Sequence, residues 1–458
     1  MSSITSARTL TAACLGAAAL AFLTPPATSL PAPFSGDSHA QAPQKGVETS
    51  TNVGIARVAT GVSAPAADAR IVRLLPGRMA SSLLGGAPSA VLAVEVRDSA
   101  SGRLVYSKRG TSSLRGASTN KLFTAAVALK TMRPAHRLVT KARLGSVSGT
   151  TAALSLVAGG DPLLTSAQLD ELATRTVTAL RARGITRVNV SIDDTLFPTP
   201  TPAVGWPSSY GLDVVRPVRP LVRDGRMLND VATDAGRYFA SRVAVHGGTH
   251  VAATYTGRAH FATSRPTLAS TPGHTVEQAV RKMLQISDND IAEMLFRLSA
   301  HADGQPATWS GGIQTARAEL ATLGVPLSGV VLHDGSGASR DDRLTARALT
   351  VLLDVAVNKT AHPELSSIYY GRAMPVAGRT GSLSGRYLSA PSKCTAGLTV
   401  AKTGALRDVL SLAGITVGAD GARRSFTILL ENPPTDRYGG RPVRVAIDGL
   451  VATIAGCW

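Results

Sequence analysis

Ser118-Thr119-Asn120-Lys121 sets a hydroxyl and an amine three residues apart where the sequence predicts the start of a helix. Positions i and i+3 of a helix share a face, with Cβ atoms about 5–6 Å apart, so Lys121 can take the proton of Ser118 and leave a nucleophile. A helix start adds free backbone N–H groups and a positive dipole end, which steady an oxyanion and favour a neutral amine nearby. The choice of Lys is itself informative. Of the 48 basic residues 39 are Arg and only 9 are Lys, so plain positive charge is supplied by Arg, and a removable proton is what Arg cannot offer. Lys121 alone among those Lys residues has Ser three positions before it.

Two further segments carry compatible chemistry. Ser287-Asp288-Asn289 falls between Gln285 and the helical run Ile291 to Leu295, and Lys402-Thr403-Gly404 ends the apolar run Leu398 to Ala401. Gly404 would let a substrate backbone approach the strand edge. Each motif alone has an ordinary reading: a Ser N-cap with a solvated Lys, a capping turn, a strand-end Lys. Their order, with 169 residues from Ser118 to Ser287 and 115 from there to Lys402, favours a shared site.

The elements that must position these residues are legible in part. Ala90 to Val96, a polar turn over Asp98 to Gly102, and Arg103 to Tyr106 read as a β-hairpin; Lys121 to Leu129 reads as a helix stopped by Pro134. Between about 137 and 265 the runs Leu154 to Ala158, Val188 to Ile192 and Val243 to Val245 look β-like. Thr275 to Leu298 is helical in character; Leu398 to Ala401, Val409 to Val417 and Ser425 to Leu430 read as strands, and Arg441 to Ile454 as a terminal helix. Strands and helices at both ends around a β-rich interior predict a discontinuous α/β domain, residues 68–136 with 266–458, holding a module at 137–265.

The 458 residues are 44% apolar, 17% charged and 4% aromatic, which excludes a disordered polymer and a small disulfide scaffold. A net charge of +18 favours polyanionic surroundings, but the Arg residues are scattered without aromatic interleaving, which fits anionic wall polymers better than nucleic acid. Of the nine His residues only His246 and His250 stand four apart, and with no Cys, Asp or Glu beside them in the sequence that single spacing does not make a ligand set, so neither a metal nor another cofactor is expected. Arg8, the apolar run Leu10 to Leu23 and the small residues Ser38-His39-Ala40 predict a secretory signal over 1–40, with an uncleaved anchor as the alternative. Residues 41–67 read as a Pro- and Ala-rich linker. Secretion leaves Cys394 and Cys457 as one disulfide or as two buried thiols.

The triplet resembles the active-site motifs of penicillin-recognising serine acyl-transferases. Gly159-Gly160-Asp161-Pro162, Asp193-Asp194-Thr195-Leu196-Phe197, Ile291-Ala292-Glu293-Met294, His333-Asp334-Gly335-Ser336-Gly337 and Gly381-Ser382-Leu383-Ser384-Gly385-Arg386 narrow the likeness. From about residue 70 to the C-terminus the chain resembles the DacB-type D-alanyl-D-alanine carboxypeptidase/endopeptidases, class C low-molecular-mass penicillin-binding proteins. The resemblance implies a penicillin-recognising α/β fold, an antiparallel sheet flanked by helices, with a module inserted between the first two motifs. It further implies a secreted serine peptidase acting through an acyl-enzyme on peptidoglycan stem peptides and inhibited by β-lactams.

Carried over residue by residue, Ser118 is the nucleophile, Lys121 its base and Ser287 a proton relay. Asn289 holds the substrate amide, Lys402 and Thr403 bind the terminal carboxylate, and the N–H groups of Ser118 and Ala405 form the oxyanion hole. Lys402 is expected to press the Lys121 pKa downward. The family pattern has Thr where this chain has Ala405, which weakens the expected grip on the carboxylate. Asp334-Gly335-Ser336-Gly337 reads as turn scaffolding. A β-lactamase-type hydrolase and a catalytically weak wall-binding homologue are the rival readings.

Overall fold

A computed structural model describes residues 64–434 and 440–458. The expected signal segment and most of the expected linker lie outside the described residues. Its last positions do not read as linker in three dimensions, because α1 (Pro65–Met79) already begins at Pro65, a residue suited to a first helical turn. The hairpin follows as β1 (Val91–Asp98) and β2 (Leu104–Lys108). A 3₁₀ turn over Ala117–Asn120 then runs into α2 (Lys121–Met132), whose small and apolar side chains are almost all buried.

The chain next builds a second sheet. β3 (Arg137–Leu138) leads to β4 (Lys141–Ser148), β5 (Thr151–Val157), α3 (Ser166–Arg181), β6 (Arg187–Asp193), α4 (Val231–Gly247), β7 (Ala252–Arg258), β8 (Thr267–Ser270) and β9 (His274–Thr275). The sheet order is β7-β6-β5-β4-β8; β5, β6 and β7 are parallel, while β4 is antiparallel to both of its neighbours. β3 pairs with β9 through Arg137↔Thr275 and Leu138↔His274, so the chain leaves and returns at one point.

Two expectations change here. Val243 to Val245 lies inside α4, not in a strand: Asp230 caps the helix by accepting from the Thr233 N–H at 3.1 Å, and Phe239, Ala240 and Val243 form one buried stripe. The interior is therefore a mixed layer of helices and strands, not mainly β. The boundary at 265 also moves, since Thr267–Ser270 pairs with β4 and belongs to this sheet.

α5 (Val276–Ile286) opens with a capping box between Thr275 and Gln278. It stops at Ser287, which takes a left-handed conformation, and α6 (Asn289–Ala302) restarts at once under the Asp288 cap. What the sequence offered as one helical stretch is thus two helices broken at the Ser-x-Asn motif. α7 (Trp309–Thr322) and α8 (Ala346–Val357) complete the helical part.

β10 (Thr399–Leu406), β11 (Val409–Val417) and β12 (Arg423–Glu431) join the hairpin in an antiparallel sheet of order β10-β11-β12-β1-β2, and α9 (Arg441–Ile454) closes the chain. β11 is buried at every position because both faces are covered. Leu412, Phe426 and Ile428 pack with Ile71, Leu75 and Ile447 of α1 and α9, while Ala413, Ile415 and Leu429 face the helices on the other side. Cys394 and Cys457 form a disulfide that ties the C-terminus to the segment before β10, which decides between the two readings of those cysteines. Among the described residues no helix is long and apolar enough to cross a membrane.

Candidate active site

Three elements converge where the first sheet meets α2 and α6. Ser118 sits in the 3₁₀ turn just before α2, one turn earlier than a helix start at Ser118 would have it. The turn is held from both sides: Gly116 O accepts from Thr119 Oγ1 at 2.7 Å and from Ser411 Oγ of β11 at 2.6 Å. Ala117 adopts φ 47°, an uncommon conformation for a residue with a Cβ.

Gly404 explains how β10 comes so close. A Cβ there would lie 2.1 Å from Ser411 Oγ, 2.6 Å from Gly116 O and 3.1 Å from Ser118 N. Its missing side chain therefore admits the protein's own 116–118 turn, where the sequence suggested room for substrate backbone.

Lys121 is fully buried and its Nζ reaches three oxygens: Ser118 Oγ at 3.0 Å, Asn289 Oδ1 at 2.6 Å and Ser336 O at 2.9 Å. Asn289 is fixed at its other end, donating from Nδ2 to Val214 O at 2.7 Å. Lys402, also fully buried, donates to Ser287 Oγ at 2.8 Å and to Thr403 O at 2.6 Å. Thr403 Oγ1 lies 2.8 Å from Ser382 Oγ, in the 381–386 segment, for which the sequence suggested no role. The three motifs are thus interlocked, as Ser118–Lys121–Asn289 on one side and Ser287–Lys402 on the other. Lys402 stands in the middle of β10 rather than at its end.

Residues 77–224 and 218–454 match the model of the D-Ala-D-Ala carboxypeptidase 3 (S13) family. The chain belongs to that family. It is 29% identical over 383 residues to carboxypeptidase DacB of Mycolicibacterium smegmatis, covering 79% of this chain and 80% of that protein. It is 26% identical over 453 residues to a D-alanyl-D-alanine carboxypeptidase of Actinomadura sp., covering 79% and 82%. The crystal structure of penicillin binding protein 4 (dacB) of Haemophilus influenzae shares the fold, with a TM-score of 0.69 at 18% identity over 83% of this chain and 97% of that one.

Electrostatics separate the two amines of this S13 chain. Burial lowers the Lys121 pKa to about 8, against the pull of Glu293, Asp334, Asp288 and Asp290, which favour its charge. Lys402 is held well below the ordinary lysine range by burial and by Lys121. The two buried ammoniums disfavour one another, which presses the pair toward neutrality.

Beside this cluster lies a cleft of about 900 Å³, with Ser118, Asn289, Tyr210, Asp213, Arg340 and Ala405 on its walls. Ala405 is exposed at the cleft edge. The wall over 207–214 comes from the stretch between β6 and α4, and it is anchored: Trp206 Nε1 donates to Asp334 Oδ2 at 2.7 Å, and Arg216 pairs with Asp290 at 2.7 Å. Asp334 also accepts from the N–H groups of Gly337 at 2.6 Å and Ser339 at 2.7 Å, the turn scaffolding its sequence suggested. Sequence reasoning missed Val214 and Ser336 because they act through backbone carbonyls, which leave no side-chain signature. Among the described residues no group of three or more His, Cys, Asp and Glu side chains converges as metal ligands.

Proposed function

We propose that this chain is a serine-type D-Ala-D-Ala carboxypeptidase and DD-endopeptidase that cleaves peptidoglycan stem peptides through an acyl-enzyme on Ser118. The observation that carries it is the 3.0 Å approach of the buried Lys121 Nζ to Ser118 Oγ, with the amine shifted toward neutrality. Neutral Lys121 takes the Ser118 proton as Oγ attacks the carbonyl carbon of the penultimate D-Ala. The N–H groups of Ser118 and Ala405 hold the oxyanion, a role that the close seat of β10 on the 116–118 turn supports. Ser287, hydrogen-bonded to Lys402, passes the proton to the leaving amine. Asn289 orients the substrate amide, and Lys402 with Thr403 supplies positive and hydroxyl groups toward the terminal carboxylate. Water then hydrolyses the ester and restores Ser118.

The same reading treats residues 139–273 as an inserted module, bounded by the β3–β9 pair and with its own buried cluster, and the flanking segments as the catalytic domain. It places the protein outside the cytoplasmic membrane, led there by residues 1–40; the disulfide suits an oxidising compartment, and the net charge of +18 suits anionic wall polymers. Intact-mass measurement after incubation with a reporter penicillin tests the chemistry. A stable adduct on the wild type and none on Ser118→Ala supports it; label on another residue, or none, overturns it.

A further inference from the structure

Glu293 lies one helical turn after Asn289 on α6, is fully buried, and has no part in the mechanism above. Its two carboxylate oxygens accept from consecutive backbone N–H groups, Oε2 from Gly335 at 2.8 Å and Oε1 from Ser336 at 2.9 Å. That grip holds the two peptide units just before the Ser336 carbonyl, which accepts from Lys121 Nζ at 2.9 Å, while the N–H of that carbonyl's own peptide, Gly337 N–H, donates to Asp334 Oδ1 at 2.6 Å. The turn is pinned elsewhere as well: Thr124 Oγ1 donates to Gly335 O at 2.5 Å and Asn120 Nδ2 to Asp334 O at 3.0 Å. Gly337 completes the fit, since a Cβ there would fall 2.0 Å from Ala117 O, next to the nucleophile.

A neutral amine has two N–H bonds and one lone pair. With Asn289 Oδ1 and Ser336 O taking the two hydrogens, the lone pair is left facing Ser118 Oγ. We propose that Glu293 is a positioning residue for Lys121: through the 335–336 turn it aims the lone pair at Ser118, and through its charge it sets the pH at which that lone pair becomes available. This inference rests on the proposed role of Lys121 as base.

The surroundings leave Glu293 well placed to tune that equilibrium. Lys121 faces it from α2, Asp334 and Asp342 from the loop after His333 and Arg297 from its own helix, while Asp288 and Asp290 at the start of α6 and Lys402 of β10 act on Lys121. Burial pushes the Glu293 carboxyl up to about 8, into the range where Lys121 titrates, so ionisation of one favours charge on the other.

Acylation of the full chain by a reporter penicillin, followed against pH, tests the proposal. In Glu293→Gln the charge is gone and one backbone N–H loses its acceptor; the acid limb should move down by about one pH unit while the plateau rate falls. Glu293→Asp keeps the charge but shortens the reach, so the limb should stay in place and only the plateau should drop. A Gln variant that folds and loses rate equally at every pH would mean a merely structural role and would overturn the proposal, as would a wild-type profile. If the Gln variant does not fold, the Asp variant decides: a lowered plateau on an unmoved limb supports the proposal, and a moved limb or an unchanged rate refutes it. A wild type that takes no label on Ser118 defeats the function proposed above; a labelled wild type with an unmoved Gln limb defeats this inference alone.

Discussion

Asn289 Oδ1 stands 2.6 Å from Lys121 Nζ although 168 positions separate the two residues in the chain. The same amide donates to Val214 O, so one side chain joins the amine to the cleft wall. Asn289→Ala removes an acceptor from a buried amine and a donor from a backbone carbonyl. The unpaired groups should cost about 1–3 kcal/mol, read as a lower thermal midpoint, and acylation should slow at least ten-fold by stopped flow. Unchanged acylation would show that Ser336 O alone suffices to orient Lys121.

Lys121→Arg keeps a charge and about the same reach but presents no lone pair near neutral pH. Acylation by a reporter penicillin should fall by at least the ~10²-fold typical of general-base loss. A near wild-type rate would remove Lys121 from the mechanism.

The pH dependence follows from Lys121 titrating at about 8. Acylation needs the neutral amine, so its rate should rise with pH up to about 8 and level off above, and a profile flat through that range would contradict the assignment. Stability moves in the same direction. Between the ordinary lysine value of 10.5 and about 8 the unfolded chain binds the proton and the folded one does not, so on this account the fold is destabilised as pH drops through that window. Lys402, also lowered, adds to the effect with the same sign, which denaturant titrations across the window would register.

Gly404→Ala introduces a methyl group where backbone of the 116–118 turn already stands, 2.6 Å from Gly116 O. Ser411 Oγ can rotate away but Gly116 O cannot, so β10 must separate from the turn. The strain should cost about 1–3 kcal/mol of stability, and acylation should fall even in protein that remains folded. Adding Ser411→Ala should recover little, because it removes only the mobile half of the clash.

Ala405 is exposed at the cleft edge, where a Thr hydroxyl would have room to reach a substrate carboxylate. Ala405→Thr should raise kcat/KM on a D-Ala-D-Ala peptide about ten-fold, the worth of one hydrogen bond to a charged group, and much less on a cross-linked substrate. Equal gains on both would point to strand geometry instead, and no gain on either would mean that the carboxylate is already satisfied.

What the sequence determined by itself is local. The spacing of Ser118 and Lys121 across one turn, the β1–β2 hairpin, β11, and the closing helix from Arg441 to Ile454 all depend on residues a few positions apart, where periodicity, turn residues and helix propensity act directly. The sequence also carried the three motifs in order, but no distance between them. Tertiary structure alone decided that Asn289 and Ser336 share Lys121, that Lys402 meets Ser287, that Cys394 reaches Cys457, and that Gly404 is there for the 116–118 turn. It also turned Val243 to Val245 into helix, because the place of Val243 with Phe239 and Ala240 on the buried stripe of α4 outweighed the β preference of two nearby Val residues. Propensity acts along the chain over a few residues, whereas burial sets the pKa values of Lys121, Lys402 and Glu293 by removing water from all sides at once, and only a packed interior built from distant segments can do that.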